Sequence, residues 1–191
     1  MASTIMARTR GRVLEQSHRP VPQVDEPSSN VCVYPTEAEL EVLVAYLSSR
    51  HLTVVSIGCG EGFLEGLLEQ RGVEVLSVDL EPSPAALASV QRQRCFCREI
   101  VRVPASALFD IPAPSSSALL FCFPRRCPLD AYLQAFPACR HVVMIGDDGG
   151  VTSPVAHALS GRPGWTLVQE MEVRGVMRPI WCVMYERAPE A

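Results

Sequence analysis

Hydrophobic positions along the chain change between helical and strand-like spacing from residue 36 onward. Thr36 and Glu39 have the spacing of a capping box, and apolar residues then recur every three or four positions, which predicts a first helix. Short segments rich in β-branched residues follow, as in strands that are buried on both faces of a parallel sheet. The predicted strands are 52–57, 74–79, 100–103, 118–123, 141–145, 165–173 and 179–186.

Segments with helical spacing separate most of these strands. Beyond the first helix, which ends near residue 50, they are 63–71, 85–94, 129–136 and 155–159. Alternating strands and helices predict an α/β, Rossmann-like three-layer fold whose mostly parallel sheet is covered on both sides. The last two strands are too close in sequence for a helical crossover, so we expect a C-terminal antiparallel hairpin.

The first thirty residues lack this periodicity. They contain Pro20, Pro22 and Pro27 among Ser, Arg and Gln, which predicts a disordered N-terminal tail at 1–30 before a single domain at 31–191. Arg8, Arg10 and Arg12 lie in a stretch with few acidic residues, as in a mitochondrial transit peptide, although a plain flexible terminus is the favoured interpretation.

Composition excludes several classes of protein. All 17 basic residues are Arg, so chemistry that needs a Schiff-base, P-loop or kinase-type lysine is excluded. The net charge of −4 argues against nucleic-acid binding as the main role, although Arg92, Arg94, Arg98 and Arg102 leave a local basic patch open. The longest apolar run, 118–123, is too short to span a membrane.

The eight cysteines do not have the spacing of a metal site. They contain no CxxC pair and no zinc-finger set with the four dispersed histidines, so we expect free thiols and no metal. Free thiols indicate a reducing compartment, with the cytoplasm expected and the mitochondrion or nucleus left open. Cys59 and Cys122 are interpreted as core thiols rather than nucleophiles.

A glycine-rich turn follows the first strand. Gly58, Gly60 and Gly62 lie between that strand and the next helix, and Asp79 ends the second strand. Ligands bind beyond the carboxyl ends of strands in such sheets, and an acid about 20 residues after the glycines can bind a ribose. The pattern favours a nucleoside-containing cofactor over a purely structural turn. The third glycine is one position too early for a dinucleotide fingerprint, which disfavours a nucleotide-dependent reductase.

In segments 54–62 and 75–82 the chain resembles the class I S-adenosylmethionine-dependent methyltransferases. The resemblance covers residues 34–187 and implies a seven-stranded sheet with bound S-adenosylmethionine. Carried over by position, Gly58, Gly60 and Gly62 would line the methionine part of this cofactor, Asp79 would bind its ribose, and Leu80 would contact its adenine.

Two cofactor positions depart from the family pattern. Ser56 stands where the family has an acid two residues before the first glycine, and it cannot supply a charge near the cofactor's amino group. After the third strand, where the family offers an acid to the adenine amine, this chain offers Ser106. Both serines are nevertheless taken as candidate cofactor contacts.

The acceptor side carries a weaker signal. Segment 121–126 lacks the Asn/Asp-Pro-Pro-aromatic motif of members that methylate amino groups. Phe123 and Pro124 are candidates for the acceptor pocket together with Tyr34 and Asp147, and an adjacent arginine could attract an anionic substrate. The alternatives are that Phe123 is an ordinary strand residue and that Asp147 caps a helix or a glycine turn.

The sequence therefore predicts a methyltransferase-like protein that transfers a methyl group to an unidentified small-molecule or protein acceptor. Such a transfer can be accelerated by placing two reactants in line, so no catalytic residue is named. The alternative is an inactive methyltransferase-like scaffold or binding protein with a protein partner, which Ser56 and the missing acceptor motif favour.

Overall fold

A mixed eight-stranded sheet forms the middle layer of the computed structural model, which describes residues 6–13, 32–87, 95–175 and 180–189. The strands are β1 Ala7–Thr9, β2 Arg12–Val13, β3 Thr53–Ile57, β4 Val75–Leu80, β5 Val101–Val103, β6 Ala107–Phe109, β7 Ser117–Cys122, β8 His141–Gly146, β9 Trp165–Val173 and β10 Ile180–Arg187. The sheet order is β2-β5-β4-β3-β7-β8-β10-β9. Strands β5, β4, β3, β7 and β8 are parallel, whereas β10 is antiparallel to β8 and to β9. The seven predicted strands lie within one residue of their expected bounds, and the C-terminal antiparallel hairpin is confirmed.

The prediction of a seven-stranded sheet was wrong, because the N-terminal segment adds an eighth strand. β2 pairs antiparallel with β5, and β1 pairs in parallel with β6 outside the main sheet. Residues 6–13 were assigned to a disordered tail, but their two strands are held by backbone pairing to an edge. Such pairing needs no hydrophobic periodicity and leaves little trace in sequence. The rest of that assignment, residues 1–5 and 14–30, lies outside the described residues.

The helices are α1 Glu37–Ser48, α2 Phe63–Gln70 and α3 Leu129–Ala135, with a 3-10 turn at Pro114–Ser116. The capping box at α1 is confirmed: the Glu39 amide donates to Thr36 Oγ1 at 3.3 Å, and the Thr36 amide donates to Glu39 Oε2 at 2.7 Å. Of the helix predicted at 85–94, residues 84–87 are helical and 88–94 lie outside the described residues. None of the described helices combines the length and apolar character that a membrane span requires.

The helix predicted at 155–159 is wrong. This segment forms turns, with amides that bond three residues back from Ala158 to the Val155 carbonyl at 3.1 Å and from Ser160 to the His157 carbonyl at 3.0 Å. Pro154 precedes the segment and Gly161 follows it, so too few residues remain for a stable helix. The apolar spacing still has a role, because Ala156 and Leu159 are fully buried.

Two apolar clusters cover opposite faces of the sheet. Val54 of β3 packs with α1 and α2, whereas its neighbour Val55 packs with α3 on the other side. The same alternation places Leu120 and Leu119 of β7 on opposite faces. The predicted three-layer arrangement is confirmed, and all five parallel strands direct their carboxyl ends to one edge.

We expect Thr36→Ala to lower the free energy of unfolding by about 1 kcal/mol, because it removes the side-chain acceptor of the capping box. Thr36→Ser keeps the hydroxyl and is the matched control. Urea unfolding of the three proteins measures the difference, and equal stability of the alanine and serine variants would contradict the prediction.

Candidate cofactor site

A cleft of about 850 Å³ opens at the carboxyl edge of the parallel strands. It is lined by Gly58 and Gly60 after β3, by Asp79 and Leu80 at the end of β4, and by residues that follow β5 and β7. A second cavity of about 140 Å³ adjoins it and shares Gly58, Gly60 and Phe123. The strand order therefore brings together the glycine turn and Asp79, as the sequence predicted.

The glycine turn has two different parts. Gly60 has a φ of +61°, and a Cβ built there would meet no atom within 4 Å, so its missing side chain leaves the cleft open. Gly62 has a φ of +74°, and a Cβ there would lie 2.2 Å from Cys97 Sγ. Gly62 precedes α2 directly and is not among the described residues that line either cavity, so its visible role is close packing.

Asp79 is already bonded to its surroundings. Its Oδ1 accepts from the Leu80 amide at 2.7 Å, and its Oδ2 lies 3.1 Å from Arg102 Nη1. Arg102 is only 5% exposed and is directly opposite Asp79 on β5. Burial raises the pKa of Asp79, and the hydrogen bonds and the Arg102 charge oppose that effect. A carboxylate has about four acceptor positions, so Asp79 retains capacity for hydroxyl donors from the cleft.

Leu80 presents apolar surface to the same cleft. It is 51% exposed and lies beside Val103 and Ala105 in the lining. Ser106, the other residue expected near an adenine, is exposed, and among the described residues the lining includes its neighbours Ala105 and Ala107 but not Ser106 itself.

Ser56 is completely buried and bonds to a carboxylate that the sequence analysis did not select. Its Oγ donates to Glu65 Oε1 at 2.5 Å, and Glu65, on α2, is 1% exposed and lines the smaller cavity. Burial raises the pKa of Glu65 to about 7, against the opposing effect of the Ser56 hydrogen bond. The sequence does contain a signal for Glu65, because an acidic residue lies on the apolar face of α2. A charge in such a position is costly unless it is paired or binds a ligand.

Phe123 and Pro124 lie at the junction of the cleft with the β7 exit. Phe123 lines both cavities, and Pro124 lines the larger one with Arg125 and Arg126. Phe123 has a φ of +49°, which is uncommon for a residue other than glycine, and its amide donates to the Ile145 carbonyl at 2.6 Å. Phe123 therefore lies just beyond β7 in a strained turn rather than within an ordinary strand.

The other two acceptor candidates lie away from the cavity linings. Tyr34 is 5% exposed and packs against Phe63, with their rings 5.7 Å apart. Asp147 is 3% exposed, and its Oδ1 accepts from the Thr152 amide at 2.9 Å and the Thr152 hydroxyl at 3.1 Å. Within the part of the chain that the structure describes, neither residue lines the cleft. Asp147 closes the turn that contains Gly149 and Gly150, as the alternative interpretation proposed.

The thiols near the site are neutral at physiological pH. Burial raises the pKa of Cys59 and of Cys122 well above the ordinary value, and it raises that of Cys127 to about 12. A neutral thiol is a poor nucleophile, although Cys59 and Cys122 are only partly buried and line the smaller cavity rather than the core. The described ranges contain no cluster of three His, Cys, Asp or Glu side chains that could hold a metal ion.

Comparison with solved structures identifies the fold. Magnesium protoporphyrin IX methyltransferase from Synechocystis, crystallised with bound S-adenosylmethionine, is 14% identical, with 78% of each chain covered and a TM-score of 0.50. The 1,6-didemethyltoxoflavin-N1-methyltransferase from Burkholderia thailandensis, crystallised with S-adenosylhomocysteine, is 20% identical, with 78% of this chain and 77% of that chain covered and a TM-score of 0.50. An uncharacterised Listeria monocytogenes protein is 9% identical, with coverage of 81% and 69% and a TM-score of 0.53.

Neither a protein-family profile nor a curated protein matches this sequence. At these identities the structural matches define the fold alone. The chain has the fold of the class I S-adenosylmethionine-dependent methyltransferases, as the resemblance implied.

We expect Gly62→Ala to destabilise the protein more than Gly60→Ala. Both substitutions place a β-carbon at positive φ, at a cost of about 1 kcal/mol, but only the Gly62 variant must also displace the Cys97 side chain. Urea unfolding of both variants measures this difference. Equal stabilities would show that the approach of Gly62 to Cys97 relaxes without cost.

Proposed function

We propose that this chain binds S-adenosylmethionine and transfers its methyl group to an acceptor molecule. The observation that carries the proposal is the position of Asp79 beside Gly58 and Gly60 in one cleft, at the carboxyl edge of a methyltransferase fold. A volume of about 850 Å³ lies in the range of small-molecule sites. The presence of S-adenosylmethionine or its demethylated product in structures of similar fold supports the same cofactor.

The lining residues have the chemistry that a nucleoside requires. Asp79 would accept hydrogen bonds from the two ribose hydroxyls, since its carboxylate lies in the cleft and is held in orientation by Leu80 and Arg102. Leu80 and Val103 would pack against the adenine ring, which accounts for a half-exposed leucine at the end of β4. Gly58 and Gly60 would let the methionine part lie close to the backbone.

The acceptor would approach from the side of the β7 exit. When bound, the cofactor supplies an electrophilic methyl group on a sulfonium. Phe123 and Pro124 would hold an acceptor against that end of the cleft, and the adjacent Arg125 and Arg126 favour an acceptor that carries negative charge. Holding the two molecules in line lowers the barrier without a protein nucleophile. Tyr34 and Asp147 would not contact the acceptor and would instead support the residues that do.

A second candidate is a protein that binds this nucleoside but does not turn it over. Segment 121–126 favours it, because it lacks the acceptor motif of members that methylate amino groups. The two candidates share the binding site and differ in whether product forms when an acceptor is present.

A reducing compartment such as the cytoplasm suits this protein. All eight cysteines are free thiols, and four of them are buried. Small-molecule or protein acceptors fit an acidic chain with a net charge of −4 better than a nucleic acid does.

We expect S-adenosylmethionine and S-adenosylhomocysteine to stabilise the native chain against thermal unfolding. A ligand at a hundredfold excess over its dissociation constant adds about 2.7 kcal/mol. Asp79→Asn should weaken the binding of both ligands at least tenfold. The amide of asparagine has an NH2 donor in place of one of the two carboxylate oxygens that accept hydrogen bonds. Differential scanning fluorimetry, with each variant compared to its own ligand-free baseline, measures the shifts.

Glu172→Gln is the matched control for this experiment. It also removes one negative charge, but Glu172 is exposed on the edge strand β9, far from β4 in the sheet order. NADH tests cofactor choice. A shift with NADH alone, or no shift with either sulfur nucleoside at millimolar concentration, would overturn the proposed function.

A further inference from the structure

The smaller cavity beside the glycine turn has an unusual charge balance. Its described lining includes two carboxylate residues, Glu61 and Glu65, and no Arg or His. Its volume of about 140 Å³ is small, and it borders the larger cleft at the shared residues Gly58, Gly60 and Phe123. A site with this lining repels anionic groups and attracts a compact cation.

Glu65 is the buried member of this pair. It is 1% exposed, whereas Glu61 is only partly buried, and it lies on the inner face of α2 among apolar neighbours. The Ser56 hydroxyl holds Oε1 from the adjacent strand β3 at 2.5 Å. A buried carboxylate held by a neutral hydroxyl is costly for the fold unless a proton or a cation compensates it.

We propose that Glu65 is the counter-ion of a ligand ammonium group bound in the smaller cavity. The inference rests on the proposed function, in which this group is the α-ammonium of the methionine part of the cofactor. Ser56 and Glu65 together then replace the single acid that the resembled family has on the first buried strand. Ser56 orients the carboxylate, and Glu65 supplies the charge that Ser56 cannot.

The connection between the two cavities supports this assignment. A nucleoside held by Asp79 in the larger cleft would extend past Gly58 and Gly60 toward Glu65, because both glycines line both cavities. A dinucleotide extending in the same direction would place its pyrophosphate against two carboxylates. The methionine part is a zwitterion that can present its ammonium to Glu65, whereas a pyrophosphate has no cationic group to present, so the smaller cavity favours the methionine part.

Protonation of Glu65 should be linked to binding. Burial raises its pKa to about 7, and the charged groups that act on it are Asp79 from β4 and Glu69 from its own helix. The thiols of Cys59, Cys97 and Cys122 also act near it, but burial keeps them neutral in this range. A bound ammonium favours the ionised carboxylate, so affinity should rise about eightfold between pH 6 and pH 7.5.

The variant Glu65→Gln is expected to fold. The pKa of Glu65 is raised on folding, so between its unfolded value of 4.5 and about 7 the native state binds more protons than the unfolded state. The contribution of this group to stability is therefore present at low pH and is lost as the pH rises toward 7. A neutral amide of the same shape should leave the protein at least as stable at pH 7.5, where the experiment is done.

The test compares two ligands that differ in the amino-acid part, which carries the ammonium group together with a carboxylate. S-adenosylhomocysteine carries the amino-acid part, whereas 5′-methylthioadenosine retains the thionucleoside and lacks it. Isothermal titration calorimetry is performed on the full chain as wild type, Glu65→Gln and the control Glu172→Gln, which removes a carboxylate from the exposed edge strand β9. We expect Glu65→Gln to weaken the binding of S-adenosylhomocysteine about tenfold or more. The binding of 5′-methylthioadenosine should weaken less than about twofold.

The outcomes separate this inference from the proposed function. The role of Glu65 would be overturned if Glu65→Gln lowered the affinity for both ligands equally, or if it left the affinity for S-adenosylhomocysteine unchanged. In either case the cofactor assignment would stand. A rise in wild-type affinity between pH 6 and pH 7.5 that disappears in Glu65→Gln supports the role of Glu65. A wild-type chain that binds neither ligand would overturn the proposed function and this inference together.

Discussion

The parallel pairing of β3 with β4 holds the candidate site together. Ile57 lies opposite Val78, and the Val78 carbonyl then accepts hydrogen bonds from the amides of Gly58 and Cys59 at 2.8 and 3.1 Å. The glycine turn is thereby tied to the strand that ends in Asp79. Because β3 is also paired with β7 on its other side, the turn rises from the middle of the sheet, and both cavities open around it.

Two carboxylates at this edge, the partly buried Asp79 and the buried Glu65, are compensated in different ways. Asp79 has a buried arginine opposite it in the sheet register, and that charge favours its ionised form. Glu65 has a serine hydroxyl, so the proton itself compensates much of its burial near neutral pH. Burial raises the pKa of both carboxylates, but only Asp79 has an opposing positive charge beside it.

The N-terminal segment contributes to the same region, and its strand β2 is part of the main sheet. Met6 lines the large cleft, and β2 pairs with β5 at the residue Arg102 that contacts Asp79. Arg12 adds an ion pair with Glu81, just beyond β4. The wall of the cleft is therefore completed by a piece of chain whose sequence has no pattern of its own, since edge pairing depends on backbone groups that every residue carries.

The sequence by itself determined the α/β class, the seven strands, the glycine turn and Asp79, because these depend on local hydrophobic spacing and on residue types that suit few other positions. It did not reveal β1 and β2, which rely on backbone pairing. It also gave Asp147 and Tyr34 to the acceptor side, although their side chains pack inward. Only the tertiary structure brought Glu65 to Ser56 and Arg102 to Asp79. These contacts join separate elements, and the distance between two side chains on different elements depends on how the layers pack rather than on local sequence.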